Sequence, residues 1–527
     1  MDFIFVVSSI ILALSFPVQC GKILVFPHEG SHWVNMHVLI QGLHSRGHQI
    51  TVIRALDSWY ISETSPNYVS LNVPFALGGD EEFYRSFVSR QLEIRRQRQP
   101  AWTRLKLDMD LKDKFSEMHR KICEMVIYII EKDPALLERI KATNFDLMLT
   151  DPVNGGGVVL AHFLNLPLVF NVRWTVHGEA HFTIAPSPLS YVPFPPSQLT
   201  DKMTFLQRTY NMLFYTFRSF LYKRTVGPHY RALCERLFGP DLEYFDLFHA
   251  ADIWLMSYDF VFDFPRPTMP NVVYVAGFQC KPSKELPADL EAFVQSSGDH
   301  GVIIMSLGTL VGQLPLDIAD EIAAAFAQLP QKVIWRYTGE RPSTIGNNTL
   351  LVNWIPQNDL LGHVKTKVFV SHGGINGIFE AIYHGVPLVG LPLVFDQDDN
   401  ISKMRHKGVA KFVDIATIDR SIFKDALQEV INEPSYRANM QKLSSLHRDT
   451  PLSPLDSALF WTEFVMRHRG AAHLRTDSYK MPWYSYHSVD VGAFLVSVVS
   501  FTVFIIFKVI RCLYCRFCAK RKRVKQD

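Results

Sequence analysis

Short apolar runs alternate with segments of helical periodicity twice along this chain, and that alternation constrains its fold more than any other feature. Residues 22–26 form an apolar run of strand type. Ser31 then stands as a helix cap before Trp33, Met36, Ile40 and Leu43, which recur on one helical face. Gly47 closes that helix, and 49–53 alternates into a second strand. A strand–helix–strand unit of this kind needs a parallel sheet with right-handed crossovers. Residues 146–150, 158–163 and 166–172 repeat the same order. The Pro- and Ser-rich stretch 186–196 reads as a loop, and 203–221 as an aromatic-rich helix that suits either a lipophilic ligand or packing on the sheet.

Between 281 and 289, Pro, Lys and Ser cluster between two apolar stretches, as in a linker. Beyond it, strands are expected at 301–306, 332–337, 350–354, 367–371 and 387–391, with helices at 318–328 and 376–384. A chain of 527 residues is too long for one core, so the pattern predicts two doubly wound α/β halves. Ligands of such sheets bind at the carboxyl ends of the strands, which places a cleft between the halves.

The two ends carry a different signal. An apolar run over 3–18, followed by Gln19, Cys20 and Gly21, reads as a cleaved secretory signal. A second run over 491–507, continuing past Lys508 to Ile510, is long enough to cross a bilayer. Arg511, Arg516, Lys520, Arg521, Lys522, Arg523 and Lys525 follow it, so the tail is expected in the cytosol and everything upstream in the lumen. Arg523 and Lys525 resemble a dibasic endoplasmic-reticulum retrieval signal. With the basic residues gathered at this end and a formal net charge of only +3, nothing argues for nucleic acid. Cys512, Cys515 and Cys518 lack a fourth metal ligand and fit palmitoylation or a plain membrane-edge position. Cys123, Cys234 and Cys280 are the remaining lumenal cysteines, enough for at most one bridge. Asn347 and Asn400 head lumenal glycosylation sequons.

Chemistry concentrates in the second half. Trp354-Ile355-Pro356-Gln357, Ser371-His372-Gly373-Gly374-Ile375-Asn376-Gly377, Glu380, and Asp396-Gln397 each fall just after a predicted strand or one turn into the next helix. A glycine turn opening a helix presents free amides, which suits a diphosphate. Ser306, Gly308 and Thr309 offer a second set of amides and hydroxyls. Glu380 can accept from ribose hydroxyls, and the Trp354 indole can stack on a base.

These clusters closely resemble the signature of the UDP-glycosyltransferases, the family that includes the vertebrate UDP-glucuronosyltransferases. The match is carried by WIPQNDLLGH, SHGGINGIFEAIYHGVPLVGLPL and DQ, with GSHWVNM near the start and FWTEFVMRHRGAAHL before the apolar span. The resemblance implies the GT-B fold, two facing Rossmann-like domains, here with a C-terminal transmembrane helix. It implies a signal at 1–20, an acceptor domain at 21–284, a UDP-sugar domain with a return segment at 285–488, a span at 489–510 and a tail at 511–527. It implies that Trp354 stacks on uracil and that Gln357 and Glu380 contact the uridine. Ser306, Thr309, His372 and Gly374 would hold the diphosphate, with Asn376 beside it and Gly308 and Gly377 also among the donor-binding residues, while Asp396 and Gln397 would hold sugar hydroxyls. No metal or bound cofactor is implied, only a UDP-sugar co-substrate.

In the first half the resemblance singles out His32 and Asp151. His32 lies in the first turn of the first helix, where the positive helix end disfavours imidazolium. Asp151 ends a separate strand and can bind the other imidazole nitrogen, the arrangement used to activate oxygen nucleophiles. His28 and His37 are the local competitors. The expected reaction is inverting transfer of a sugar, glucuronate first, to a hydroxyl of a small lipophilic acceptor such as a phenol or steroid. UDP-glucose remains an alternative donor, because Ser257 stands where the best-known glucuronosyltransferases carry arginine; Arg173 and Arg336 are the candidate replacements. An inactive subunit pairing with related transferases, as homo- or hetero-oligomer, is the other alternative.

Overall fold

Strands of the first half carry almost unbroken apolar runs because both faces of a parallel sheet are covered by helices. In the computed structural model, which describes residues 20–78, 81–97, 99–173, 179–308 and 311–523, seven of them form one sheet. These are β1 (Lys22–Phe26), β2 (Gln49–Ala55), β3 (Val69–Val73), β4 (Leu147–Thr150), β5 (Leu168–Val172), β6 (Ile253–Met256) and β7 (Val272–Tyr274). Their order is β3-β2-β1-β4-β5-β6-β7, every neighbouring pair parallel. The second half repeats the plan with β8 (Val302–Ser306), β9 (Lys332–Arg336), β10 (Thr349–Val352), β11 (Thr366–Ser371), β12 (Leu388–Gly390) and β13 (Ala410–Phe412). Their order is β10-β9-β8-β11-β12-β13, again all parallel. In each sheet the winding reverses once, between β1 and β4 and between β8 and β11. Adjacent loops diverge there and leave a crevice.

Strands β3, β6, β7 and β13 went unread in the sequence because three to five residues give too little alternation to separate from loop. The first helix is Ser31–Ser45, but its cap is Gly30; Ser31 is already helical and makes no capping bond. The aromatic helix is Phe205–Thr225, capped by Thr204 and Gln207 in a reciprocal box. Its outer side leaves Phe205, Leu206, Leu213, Phe217 and Phe220 exposed, so packing accounts for only part of its apolar content.

Two segments cross between the halves. Helix Glu81–Arg96 puts Phe87, Val88 and Leu92 into the core of the second sheet, beside Ile303, Met305 and Leu391. Its Arg95 bonds Asp414 at 2.7 Å. In return, helix Pro454–His468 packs Ala458, Leu459 and Val465 against Trp33, Leu39 and Leu43 of the first half, and its Glu463 bonds Arg46 and His48, each at 3.2 Å. A buried ion cluster joins the halves as well. Lys403 lies 2.9 Å from Asp263 and 3.4 Å from Asp399, whose Oδ1 also accepts the Gln198 amide at 2.7 Å.

The folded body runs through Leu474, and 475–523 forms a second unit. That unit is dominated by helix Val489–Arg523, of which Val489–Cys518 is long and apolar enough to cross a membrane and is unburied throughout. Trp483, Tyr484 and Tyr486, all exposed, precede it, where an interfacial aromatic belt would lie. The secretory-signal run over 3–18 and the last four residues, Lys525 among them, fall outside the described residues. Cys123, Cys234 and Cys280 are all free thiols.

Removing one partner of a buried ion cluster leaves uncompensated charge, at a cost of about 3–5 kcal/mol. Lys403→Met should therefore lower the denaturation midpoint of the full chain in detergent by the equivalent of about 3 kcal/mol, followed by tryptophan fluorescence. An unchanged midpoint would mean that the other contacts between the halves hold them together without this cluster.

Candidate active site

The reversal point of the first sheet carries a histidine–carboxylate pair. His32 follows β1, Asp151 follows β4, and these two strands are neighbours. His32 Nδ1 and Asp151 Oδ2 are 2.6 Å apart, with His32 8% exposed and Asp151 fully buried. The other carboxylate oxygen accepts the Val153 amide at 2.9 Å, which fixes its rotation. A carboxylate on Nδ1 selects the tautomer that carries its proton there and leaves Nε2 with a free lone pair.

Of the competitors, His28 lies edge-on to His32 with ring centroids 5.0 Å apart, and burial with the nearby His32 pushes it down to about 4. His37 stacks on Trp33 at 5.4 Å and faces Tyr68, a packing role.

The turn that aims Asp151 is held by features that the pattern reading passed over. Gly155, Gly156 and Gly157 open the next helix, and a methyl group on any of them would meet heavy atoms of Tyr244, Phe26 or Thr150 under 3.0 Å away. Tyr230 stacks on Tyr244 at 4.1 Å, accepts the Gly155 amide at 2.8 Å and pairs with His119 at 3.0 Å. Three consecutive glycines after a predicted strand were the legible sign.

The second sheet repeats the layout at its own reversal point. Ser306 ends β8 and Ser371 ends β11, and each hydroxyl accepts the amide two residues on, Gly308 at 3.4 Å and Gly373 at 3.2 Å. Gly308 and Gly373 have φ of 79° and 88°, open to them for want of a Cβ. His372 sits between the two turns so tightly that a Cβ on Gly308 or Gly374 would fall 2.7 or 2.5 Å from its ring. Burial, with Arg173 adding, pushes His372 down to about 4, and its Nδ1 is buried without a partner among the described residues. Helix Ile375–His384 then starts at the cap Gly374 with no side-chain bond to its first amides, as an anion site requires. Asn376 lies in its first turn and its carbonyl accepts from Gln279 at 3.4 Å. Thr309 falls outside the described residues.

Trp354, after β10, is 72% exposed, so most of its indole is open to solvent. Gln357 donates to Glu380 at 2.5 Å, and burial raises the Glu380 carboxyl to about 7. Gly377 is buried, and a Cβ there would stand 3.2 Å from the Phe369 ring and 3.4 Å from the Gln357 side-chain amide, so its small size leaves room for both. Asp396 accepts from Asn400 at 2.6 Å, and burial raises its carboxyl. The Gln397 side-chain oxygen accepts the backbone amides of Leu393 and Val394 at 2.9 and 3.1 Å. Phe395, between them and β12, is held at φ 61° and stacks 6.4 Å from Phe87 of the crossing helix.

One expected site is corrected. Asn400 is 4% exposed and spends its amide on Asp396 and on the Gly373 carbonyl at 3.0 Å, so it organises the two turns and has no room for a glycan. Asn347 is exposed.

The sites of the two sheets meet across the cleft. Arg173, after β5, lines a cavity with Asp396, Asn400 and Ile375, and its charge acts on both Asp151 and Asp396.

The chain matches the family described as "UDP-glucoronosyl and UDP-glucosyl transferase" over residues 21–524. It is 42% identical over 486 residues to UDP-glucuronosyltransferase 2A1 of Mus musculus, covering 91% of each chain. It is 40% identical over 491 residues to UDP-glucuronosyltransferase 2B17 of Homo sapiens, covering 92% of this chain and 91% of that one. Among solved structures it resembles a UDP-glucosyltransferase from Polygonum tinctorium, with a TM-score of 0.57 at 15% identity over 85% of this chain and 99% of the other. The glycosyltransferase VinC in complex with dTDP gives 0.53 at 15% identity over 85% and 100%, a likeness of fold. With the GT-B pair of sheets and a family match spanning nearly its whole length, the chain belongs to the UDP-glucoronosyl and UDP-glucosyl transferases and is a glycosyltransferase enzyme.

Proposed function

We propose that this enzyme transfers glucuronate from UDP-glucuronate to a hydroxyl of a small lipophilic acceptor, with inversion at the sugar carbon. The observation that carries the mechanism is the 2.6 Å His32–Asp151 pair on the sheet that faces the two glycine turns. His32 Nε2 takes the acceptor proton as the oxygen attacks C1, and Asp151 offsets the charge that appears on the ring. The C1–phosphate bond breaks, and the leaving UDP is stabilised by the amides after β8 and β11 and the first turn of helix Ile375–His384. Trp354 offers a stacking face for uracil, Glu380 accepts from ribose, and Asp396 with Gln397 holds sugar hydroxyls.

Two relatives near 40% identity bear the name glucuronosyltransferase, which supports the glucuronate donor. UDP-glucose is favoured by one observation, Ser257: it is buried and bonded to Asn35 at 3.3 Å, with no cation in its place. The apolar span supports a membrane enzyme, and we place it in the endoplasmic reticulum with the folded body lumenal, an assignment that rests on the basic tail.

Membranes expressing the chain, supplied with a simple phenol and UDP-glucuronate, UDP-glucose, UDP-galactose or UDP-xylose in parallel, test the reaction. His32→Ala should lower turnover by about 10²–10⁴-fold while UDP affinity changes little. Equal turnover with and without the imidazole would remove His32 from the mechanism.

Ribose needs Glu380 as a carboxylate, so binding is coupled to its ionisation. With that carboxyl at about 7, the charged fraction, and UDP affinity with it, rises as pH rises through neutrality. Affinity at pH 6 should be about tenfold weaker than at pH 8, and Glu380→Gln should flatten that dependence in calorimetry.

Lumenal orientation predicts one glycan. Glycosidase treatment should shift the wild type and the Asn400→Gln variant in gels but leave Asn347→Gln unmoved.

A further inference from the structure

Glucuronate differs from glucose in bearing a carboxylate at C6, and a cleft that prefers it needs a cation to spare. Three cations line the cavity beside Asp396: Arg173, Arg266 and Lys403. Lys403 is committed to Asp263 and Asp399. Arg266 donates to Ser187 at 2.7 Å and lies 4.7 Å over the Phe182 ring. Arg336, on β9, is committed to the Gly308 carbonyl. The position after β6 holds Ser257 within a buried amide cluster of Asn35 and Asn171.

Arg173 alone among these makes no such commitment. It is 9% exposed, and its Nε is buried with no hydrogen-bond partner among the described residues. It stands at the carboxyl end of β5, one strand over from Asp151, in the cavity that Asp396 lines from the opposite half. A guanidinium that makes no hydrogen bond among the described residues is suited to a planar, two-point anion.

We propose that Arg173 is the donor-selecting residue of this enzyme, holding the C6 carboxylate of the sugar while Asp396 and Gln397 hold its hydroxyls. The assignment rests on the glucuronate reading above. It explains how a glucuronate carboxylate can approach Asp396 without net repulsion, since the Arg173 charge that already acts on Asp396 would offset both anions. It also explains how the chain works with serine at 257: the cation enters from β5 instead of β6.

The test uses the full chain in membranes with a fixed phenol. The ratio of kcat/KM for UDP-glucuronate over UDP-glucose is measured for wild type, Arg173→Gln and Arg173→Lys, with the Kd of UDP as the control for folding, because UDP carries no sugar. Losing a charge-assisted pair predicts a 10- to 100-fold fall in that ratio for Arg173→Gln, carried mainly by KM, and partial recovery in Arg173→Lys. A fall that is equal for both donors, with UDP affinity intact, overturns the assignment and makes Arg173 a charge balance for Asp151 and Asp396. A wild-type preference for UDP-glucuronate that survives Arg173→Gln overturns it as well and leaves the donor reading standing. A wild type that prefers UDP-glucose overturns the donor reading itself, and the assignment with it. Should Arg173→Gln lose UDP binding, Arg173→Lys decides: an unchanged ratio there overturns the role of the guanidinium.

Discussion

An ammonium from one half of this enzyme, Lys403, meets a carboxylate from the other, Asp263, at 2.9 Å and almost out of reach of water. The base that starts the proposed reaction belongs to the first sheet and the amides that would receive its leaving group to the second, so the chemistry exists only while the halves keep their register. Desolvating ions is expensive, and the cluster tolerates it because Asp399 and the Gln198 amide complete the coordination. Geometry is gained as much as energy: an ion pair with fixed partners cannot slide, whereas an apolar interface can.

Two crossing segments enforce the same register by other means. Phe87 of helix Glu81–Arg96 stacks beside Phe395, whose left-handed backbone presents Asp396 to the cleft. Strain of that kind persists where surrounding packing over-determines it, and it tends to collect at functional sites. Helix Pro454–His468 returns to the first half and covers the same helix that carries His32. Both halves of the site are thus braced from outside by a piece of the other half.

The symmetry of the layout follows from topology. Each sheet reverses its winding once, and each reversal opens a crevice at the carboxyl ends of two neighbouring strands. His32 and Asp151 flank one crevice; the serine-glycine turns after β8 and β11 flank the other. Glycine recurs at both for steric reasons, because the Asp151 turn lies against stacked tyrosines and the donor turns against His372.

By itself the sequence determined the class of fold, the glycine turns and the apolar anchor, because strand periodicity, turn chemistry and a bilayer-length run are local properties. The order of residues was enough to single out His32 and Asp151, but only through resemblance, since 119 positions separate them and no periodicity links them. Tertiary structure decided what depends on burial and on distant neighbours. Asn400 reads as a sequon and is a buried strut. Arg173, Arg266 and Lys403 are alike as letters, and only the partners that the fold brings to each separate the two committed cations from the one that makes no hydrogen bond among the described residues. A charge acquires its role from what it is buried beside, and that is set by the packing of the whole chain.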